Sequence, residues 1–576
     1  MIEIDREITQ DFDRASGLEW LETNGLGGWA GTTVAGAHSR RYHGLLVAAT
    51  QPPAERTVLL SRLDETLHVE GESFELSCNQ FPGVVIPRGF EHLTSFRKDL
   101  FPVFEFEAGG VKLRKTVAAV DGENTTLVLY EVLEAPGPFI LSLRPFLAAR
   151  DQHALSAANP KINEESPFED GILSLRPYPD VPELFVQVPG ADFRQNPQWW
   201  YRFEYEAERR RGADFQEDLW TPGVLGLEMA AEDRLGIVVS TRNPAGRDAF
   251  ALFEKERKRR EKVLKALPVQ DDFARHLALA ADGFVVRRGP NQRAVLAGYP
   301  GFGEQSRDTM IALPGLCLVT GRHEDAKKIL RDFAKGVFKK EEPEHTSADA
   351  PLWLFVAAWK YLQTTGDEAF VRETLLPALR KVVRAYSKGT LHGIQVSDDG
   401  LLSAGGKSVE VNALWYNALA ILSEIEARLG DPKEASRLGK SAKRVQKRFQ
   451  EAFWNEEAGC LYGLIDGGPD GDERDDSFRP RQIFALSLPF PLLPKPKAAR
   501  VLAAVEADSQ RSGAWPFGPY FTALVRVHGA AGRKKALLAV EELKSRLAED
   551  PMAQAWSVAE VLRAYVEDLQ KAPVKA

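Results

Sequence analysis

Over the first 245 residues, apolar and polar positions alternate with period two. TVLLSRLDETLHV, VFEFEAGGVKLRKTVAAV, TTLVLYEVL and FILSLRPFL all follow this pattern, separated by clusters of Gly, Asn, Asp and Pro. A two-residue period sends alternate side chains to opposite faces of a strand, and the separating residues favour turns. Short strands in sequence, with no helical pattern between them, predict an antiparallel β-sandwich over residues 1–245. The pattern then changes. RDAFALFEKERKRREKVLKAL predicts a charged amphipathic helix over 246–268 that links two domains.

From 269 to 576 the period is helical. DDFARHLALAADGFVV places Phe273, Leu277, Leu279 and Ala280 on one side, and APLWLFVAAWKYLQ repeats with Leu352, Phe355, Val356 and Trp359. VNALWYNALAILSEIEARLG runs up to Gly430, a C-cap by position. About a dozen such segments, paired by short loops, are enough for six hairpins closing an all-α (α/α)6 toroid. Inner helices would line a funnel, and polar residues at one end of it are where chemistry is expected.

Composition refines this picture. At 576 residues the chain exceeds what one core usually serves, which again implies at least two domains. A net charge of −8 gives no reason to expect nucleic-acid binding. Three dispersed cysteines, Cys78, Cys317 and Cys460, argue against a disulfide scaffold or thiolate zinc site and suit a reducing compartment. The start MIEIDREITQ has no apolar stretch of the secretory kind, and no run is long enough to span a bilayer. A cytoplasmic protein with no membrane partner is expected. The GxGxxA pattern in NGLGGWAG is not followed by a helix, so a dinucleotide site is not expected. HSRRYHG, with Arg40, Arg41 and His43, reads more readily as a hydrogen-bonded turn than as an anion site. No metal motif is present, and no cofactor is expected.

Four clusters at hairpin starts carry the candidate chemistry. In GFGEQSRDTMIALPGL, Ser306 could cap a helix with Asp308 in its first turn, which explains Asp308 but not Arg307 at the positive end of a helix. The alternative is a sugar cradle, since a carboxylate beside a guanidinium offers the acceptors and donors that adjacent hydroxyls need. Glu304 belongs to the same stretch. GKSVEVNALWYNALA places Glu410, Asn412 and Trp415 at a helix entrance, HTSADAPLWLF places Asp349 before an aromatic-rich helix, and GAWPFGPY places Trp515 and Phe517 before another.

EWLETNGLGGWAGTTVAGAHSRRYHGLLVAA resembles the N-terminal signature of bacterial and archaeal glycogen debranching enzymes of the amylo-α-1,6-glucosidase type. AGYPGFGEQSRDTMIALPGLCLVTGR resembles that family's catalytic-domain signature, and VEVNALWYNAL, RPRQIFALSLPFPLL and WPFGPYFTALVRVH are similar to it in order. The resemblance implies a β-sandwich before an (α/α)6 barrel and removal of α-1,6-linked glucose from glycogen, limit dextrin or a related α-glucan by inversion. Inversion needs two carboxyl groups about 6.5–9.5 Å apart. Arg307 and Asp308 match the pair that holds the terminal glucose in such enzymes.

Two segments depart from the family pattern. The Trp-Met-Asp stretch that carries the general acid is missing where VSDDGLLSAGGKSVEV passes directly into the helix, and EADSQRSGAWPF is shortened where the base belongs. Gln305 also replaces an aromatic residue. Each lost acid or base costs roughly 10²- to 10⁴-fold in rate. Glu410 is then the candidate acid, with Glu304 or Asp349 as substitutes. The alternative is a catalytically impaired glucan-binding homologue; phosphorolysis is a third reading, without a phosphate-binding cluster behind it.

Overall fold

The structure is a computed structural model and describes residues 2–337, 348–467, 473–547 and 554–570. Its first part is an antiparallel sheet domain. One nine-stranded sheet runs from Ile2–Ile4 through Leu93–Lys98, Pro102–Ala108, Val111–Ala119, Thr125–Glu134 and Arg234–Ser240 to the short strands Leu184–Gln187, Ile172–Leu175 and Phe168–Glu169. An eight-stranded sheet includes Glu19–Thr23, Trp29–Thr33, Gly44–Gln51, Ala54–Val69, Phe139–Asp151, Gln216–Met229 and Asp192–Glu204. Strands 111–119 and 125–134 of the first sheet pack on 19–33 and 44–51 of the second. Trp20, Leu46, Leu60, Val117, Val128, Tyr130 and Ile237 share the core between them. Short helices at Arg6–Thr9, Phe12–Gly17 and Glu206–Arg210 interrupt this region, which the strand pattern did not signal.

Alternation fades where both faces of a sheet are covered. Residues 125–130 are buried without a break because a helix lies on their outer side. That helix, α1 (Ala249–Lys265), is capped by the Asp248 carboxylate on the Ala251 amide and lays Ala249, Phe250 and Phe253 against Leu127, Leu129 and Val238. Further along α1, Arg260 pairs with Glu22 of the sheet domain at 2.6 Å, and Arg259 pairs with Asp282 of the next helix at 2.7 Å. The linking segment is thus bonded to both domains.

The helical domain comprises α2 (Asp272–Phe284), α3 (Ser306–Leu313), α4 (His323–Gly336), α5 (Ala350–Thr365), α6 (Leu376–Lys388), α7 (Val409–Leu429), α8 (Pro432–Ala452), α9 (Phe484–Ser487), α10 (Lys495–Ser512), α11 (Phe517–Leu547) and α12 (Ala555–Ala564). Gly529 breaks α11 with φ 59°. Each of α3, α5, α7, α9, α11 and α12 packs on the next, and α12 packs back on α3. Helix α2 backs onto α12, α4 onto α5, α6 onto α7, α8 onto α7 and α10 onto α11. This arrangement explains why α5 and α7 are apolar nearly all round: they have neighbours on every side. On α2, by contrast, the fully buried face is Phe273, Ala274, Leu277, Ala278, Ala281 and Phe284, so Leu279 and Ala280 sit at its margin.

Gly430 does end α7, its amide donating to the Glu426 carbonyl. The outer face of the eight-stranded sheet joins the helical core through Trp29, Val47, Val58 and Phe146, with Trp29 edge-on to Tyr299 at 5.7 Å. Among the described residues, no helix is long and apolar enough to cross a membrane.

Candidate active site

Helix α3 begins at Ser306 with Gln305 as its N-cap, and Gln305 supplies no side-chain bond. The expectation that Ser306 caps the helix is therefore corrected. Arg307 stands in the first turn, where the helix dipole disfavours a cation. Its surroundings compensate. Arg307 Nε donates to Asp308 Oδ1 at 3.1 Å, and Nη1 lies 3.8 Å from Asp349 Oδ2 at the N-cap of α5. Glu410, in the first turn of α7, also acts on Arg307 through its charge. Partial burial works against the guanidinium, but Asp308, Asp349 and Glu410 outweigh it and hold Arg307 more firmly protonated than usual. Arg307 thus contacts Asp308 and Asp349 and feels Glu410, and the four stand at the starts of three consecutive packed helices.

Arg481 was not anticipated. It lies in the 3-10 turn Pro480–Ile483 before α9, and its Nη1 donates to Glu410 Oε1 at 3.2 Å. The signal was a cationic residue at yet another hairpin start, within RPRQIFALSLPFPLL. One helical turn after Asp349, Trp353 of α5 meets Phe484 of α9 edge-on at 5.2 Å. Below that, Lys360 of α5 pairs with Glu567 at 2.6 Å, and Arg563 of α12 bonds Glu560, Thr522 and Asp568.

Three expected site residues are placed elsewhere. Asn412 is buried, accepting from the Leu402 amide at 2.7 Å and donating to the Leu402 and Ser408 carbonyls at 2.9 and 3.0 Å. Trp415 is buried as well, its indole donating to the Gly400 carbonyl at 3.2 Å. Both pin the loop before α7, because a buried backbone amide or carbonyl needs a partner. Glu304 is exposed and turned to Arg288, whose Nε reaches it at 3.1 Å. Trp515 is half-buried before α11, stacked on Phe517 at 5.7 Å and edge-on to Tyr520 at 5.1 Å. His345–Ser347, just ahead of Asp349 in sequence, lie outside the described residues.

Three carboxylates of the two shortened segments, Asp399, Glu506 and Asp508, are engaged away from Arg307. The stretch before α7 forms the hairpin Ile394–Val396 with Leu402–Ala404, and Asp399 within it accepts from Lys407 at 3.0 Å and Arg448 at 3.2 Å. Near the end of α10, Glu506 accepts from Tyr520 and from Lys535 at 2.6 Å, and Asp508 pairs with Arg511. The charged side chains of the HSRRYHG turn also have partners nearby: Arg40 and His43 face Glu19, and Arg41 faces Glu208.

An antiparallel sheet domain leading into paired helices is a build this chain shares with solved structures. Over 97% of this chain and 94% of the other, it is similar to a bacterial glucoamylase solved in complex with acarbose, with TM-score 0.57 and 11% identity. It is also similar to a protein described as a kojibiose phosphorylase from the human microbiome, at TM-score 0.51 and 11% identity, over 96% and 82% of the two chains. At that identity the likeness is one of fold. Residues 18–235 match the family described as glycogen debranching enzyme N terminal, and residues 279–408 and 404–513 match amylo-alpha-1,6-glucosidase. The chain belongs to the glycogen debranching enzyme family. No curated protein matches it.

Proposed function

We propose that the chain holds the terminal glucose of an α-glucan, such as glycogen or a limit dextrin, between Arg307, Asp308 and Asp349. The proposed architecture around them is a β-sandwich followed by an (α/α)6 toroid. The succession of packed helices from α3 through α12 and back to α3 supports that reading. The single observation that carries the function is the bridging of Asp308 and Asp349 by Arg307 where those helices begin. A guanidinium between carboxylates presents fixed donors and acceptors side by side, the arrangement vicinal hydroxyls require. Family membership makes α-1,6-glucosidase the matching reaction, with Glu410 the carboxyl available for acid–base work.

A second reading is favoured by the Arg481–Glu410 pair. Glu410 accepts from a guanidinium, a role that suits a base or an anchoring group better than an acid that must deliver a proton to a leaving oxygen. The amylo-glucosidase match also falls in two pieces that meet at 404–408, beside the hairpin whose Asp399 faces Lys407 and Arg448. Both observations suit a protein that binds α-glucan with little turnover.

The two readings separate in one experiment: glucose release from a glucosyl-branched limit dextrin, alongside glucan binding, for wild type and Glu410→Gln. Release that falls at least 100-fold in the variant, with binding retained, supports the glucosidase. Binding with no release by wild type supports the binding protein. Absence of both would remove the α-glucan reading altogether.

A further inference from the structure

A cavity of about 110 Å³ lies between the two domains, remote from the charged cluster. The sheet domain contributes strand 19–23 with Phe96, Lys98, Asp99 and Leu100, the helical domain contributes α2, and α1 closes one side. Its walls combine apolar side chains, Ile4, Phe96, Leu277 and Leu279 among them, with charged ones, and Lys98 and His276 come to it from opposite domains. Lys98 Nζ donates to the Leu21 carbonyl at 2.7 Å. An ammonium has three donors, so two remain for another acceptor. Among the described residues, no carboxylate forms an ion pair with Lys98, and no group hydrogen-bonds His276.

The other charges around the cavity are already matched. Arg260 is held by Glu22 and Glu256, Arg259 by Glu256 and Asp282, and Glu19 by Arg40 and His43, while Asp99 is exposed at the margin. Burial, reinforced by the nearby Lys98 charge, pulls the His276 imidazole down to about 4, so at neutral pH it offers a neutral ring with one N–H. The result is a partly open space with apolar and charged walls and one cation, Lys98, that makes no ion pair among the described residues. Lys98 is partly buried and feels the charge of Glu22, which is itself bonded to Arg260, so an anion placed beside the ammonium would give it a direct partner that Glu22 does not supply.

We infer that this interdomain cavity is a binding site for a small organic carboxylate, its apolar body among Ile4, Phe96, Leu277 and Leu279 and its carboxylate on Lys98 and His276. At about 110 Å³ it is smaller than the roughly 150 Å³ apolar cavity that takes up benzene, but it is open on one side, so a ring or a short chain seats with part of its body at the mouth. Interdomain clefts that combine apolar walls with a few directed polar groups are common ligand sites. Because the walls come from both domains, the ligand would bridge them. The inference is independent of any glucan reading.

The probe is benzoate, with benzyl alcohol as its uncharged counterpart, added to the full chain and followed by calorimetry and by the ¹³C-labelled His276 ring resonance. Benzoate is expected to bind saturably at one site and to move that resonance. Benzyl alcohol should bind at least tenfold more weakly, and Lys98→Met, which keeps the aliphatic stem, should weaken benzoate at least tenfold. His276→Gln identifies the resonance and should weaken benzoate several-fold. Equal binding of the alcohol, unchanged affinity in Lys98→Met, or a non-saturable response would overturn the inference. If Lys98→Met does not fold, the comparison of the two probes on wild type still decides.

Discussion

Arg307 of α3 reaches Asp349 at the start of α5, with Nη1 3.8 Å from Oδ2, while its Nε is bonded to the neighbouring Asp308. One side chain therefore joins two helix entrances that are 42 residues apart in sequence (349 − 307). The link places a cation where the dipole of α3 alone would not favour one, and three carboxylates make it stable there.

Replacing Arg307 by Met should disable glucan binding more than it disables folding. Charge-assisted hydrogen bonds are worth about 1.5–3 kcal/mol each. A loss of at least tenfold in maltooligosaccharide affinity is expected, for Asp308→Asn as well. Titration calorimetry on protein whose circular dichroism matches wild type would check it, and unchanged affinity in both variants would exclude this cluster as the sugar site.

Asn412→Ala should behave in the opposite way. The substitution strands the buried amide and carbonyl of Leu402, at a cost of about 2–4 kcal/mol. Denaturant unfolding should show the loss, while affinity per folded molecule stays at the wild-type value. A variant of normal stability and weakened glucan affinity would return Asn412 to the binding surface.

Gly315 follows α3 and packs directly on α12. A Cβ there would overlap the carbonyl oxygen of Ala559, backbone that cannot swing aside. Gly315→Ala should destabilise the chain by about 2 kcal/mol despite alanine's better helix propensity. Thermal unfolding should begin several degrees earlier. A variant as stable as wild type would mean that α3 and α12 are not in this close contact.

Glu19 gives the sheet domain a defined acid sensitivity. Burial opposes its charge, but His43 and Arg40 outweigh that and hold the carboxyl down at about 2, below its ordinary 4.5. Because the folded-state value is depressed, the stabilisation is complete above 4.5 and disappears as pH falls toward 2. Its upper bound at neutral pH is about 3 kcal/mol. The stability difference between wild type and Glu19→Gln should shrink across that window, and a difference independent of pH would remove the ion-pair explanation.

How far the site could be read in advance differs from residue to residue. Arg307, Asp308, Asp349 and Glu410 could be singled out because each stands at the start of a segment with helical period, and helix starts are local features. Arg481 could not be matched to Glu410, since the two are 71 positions apart and only the packing of α9 on α7 brings them together. Asn412 and Trp415 were misplaced for a related reason. Two polar groups at a helix entrance look alike in sequence whether they face solvent or a returning loop, and here the 394–404 hairpin lies over them.

By itself the sequence determined the division into period-two strands and period-3.6 helices, the change between them near residue 246, and which charges stand at helix starts. Those properties depend on backbone geometry repeated over a few residues. Tertiary structure alone decided that α1 covers the sheet, that Glu410 faces Arg481, that Trp353 meets Phe484, and that Lys98 and His276 share a cavity. Each of these depends on which distant surfaces pack together, and a local repeat carries no record of its partner.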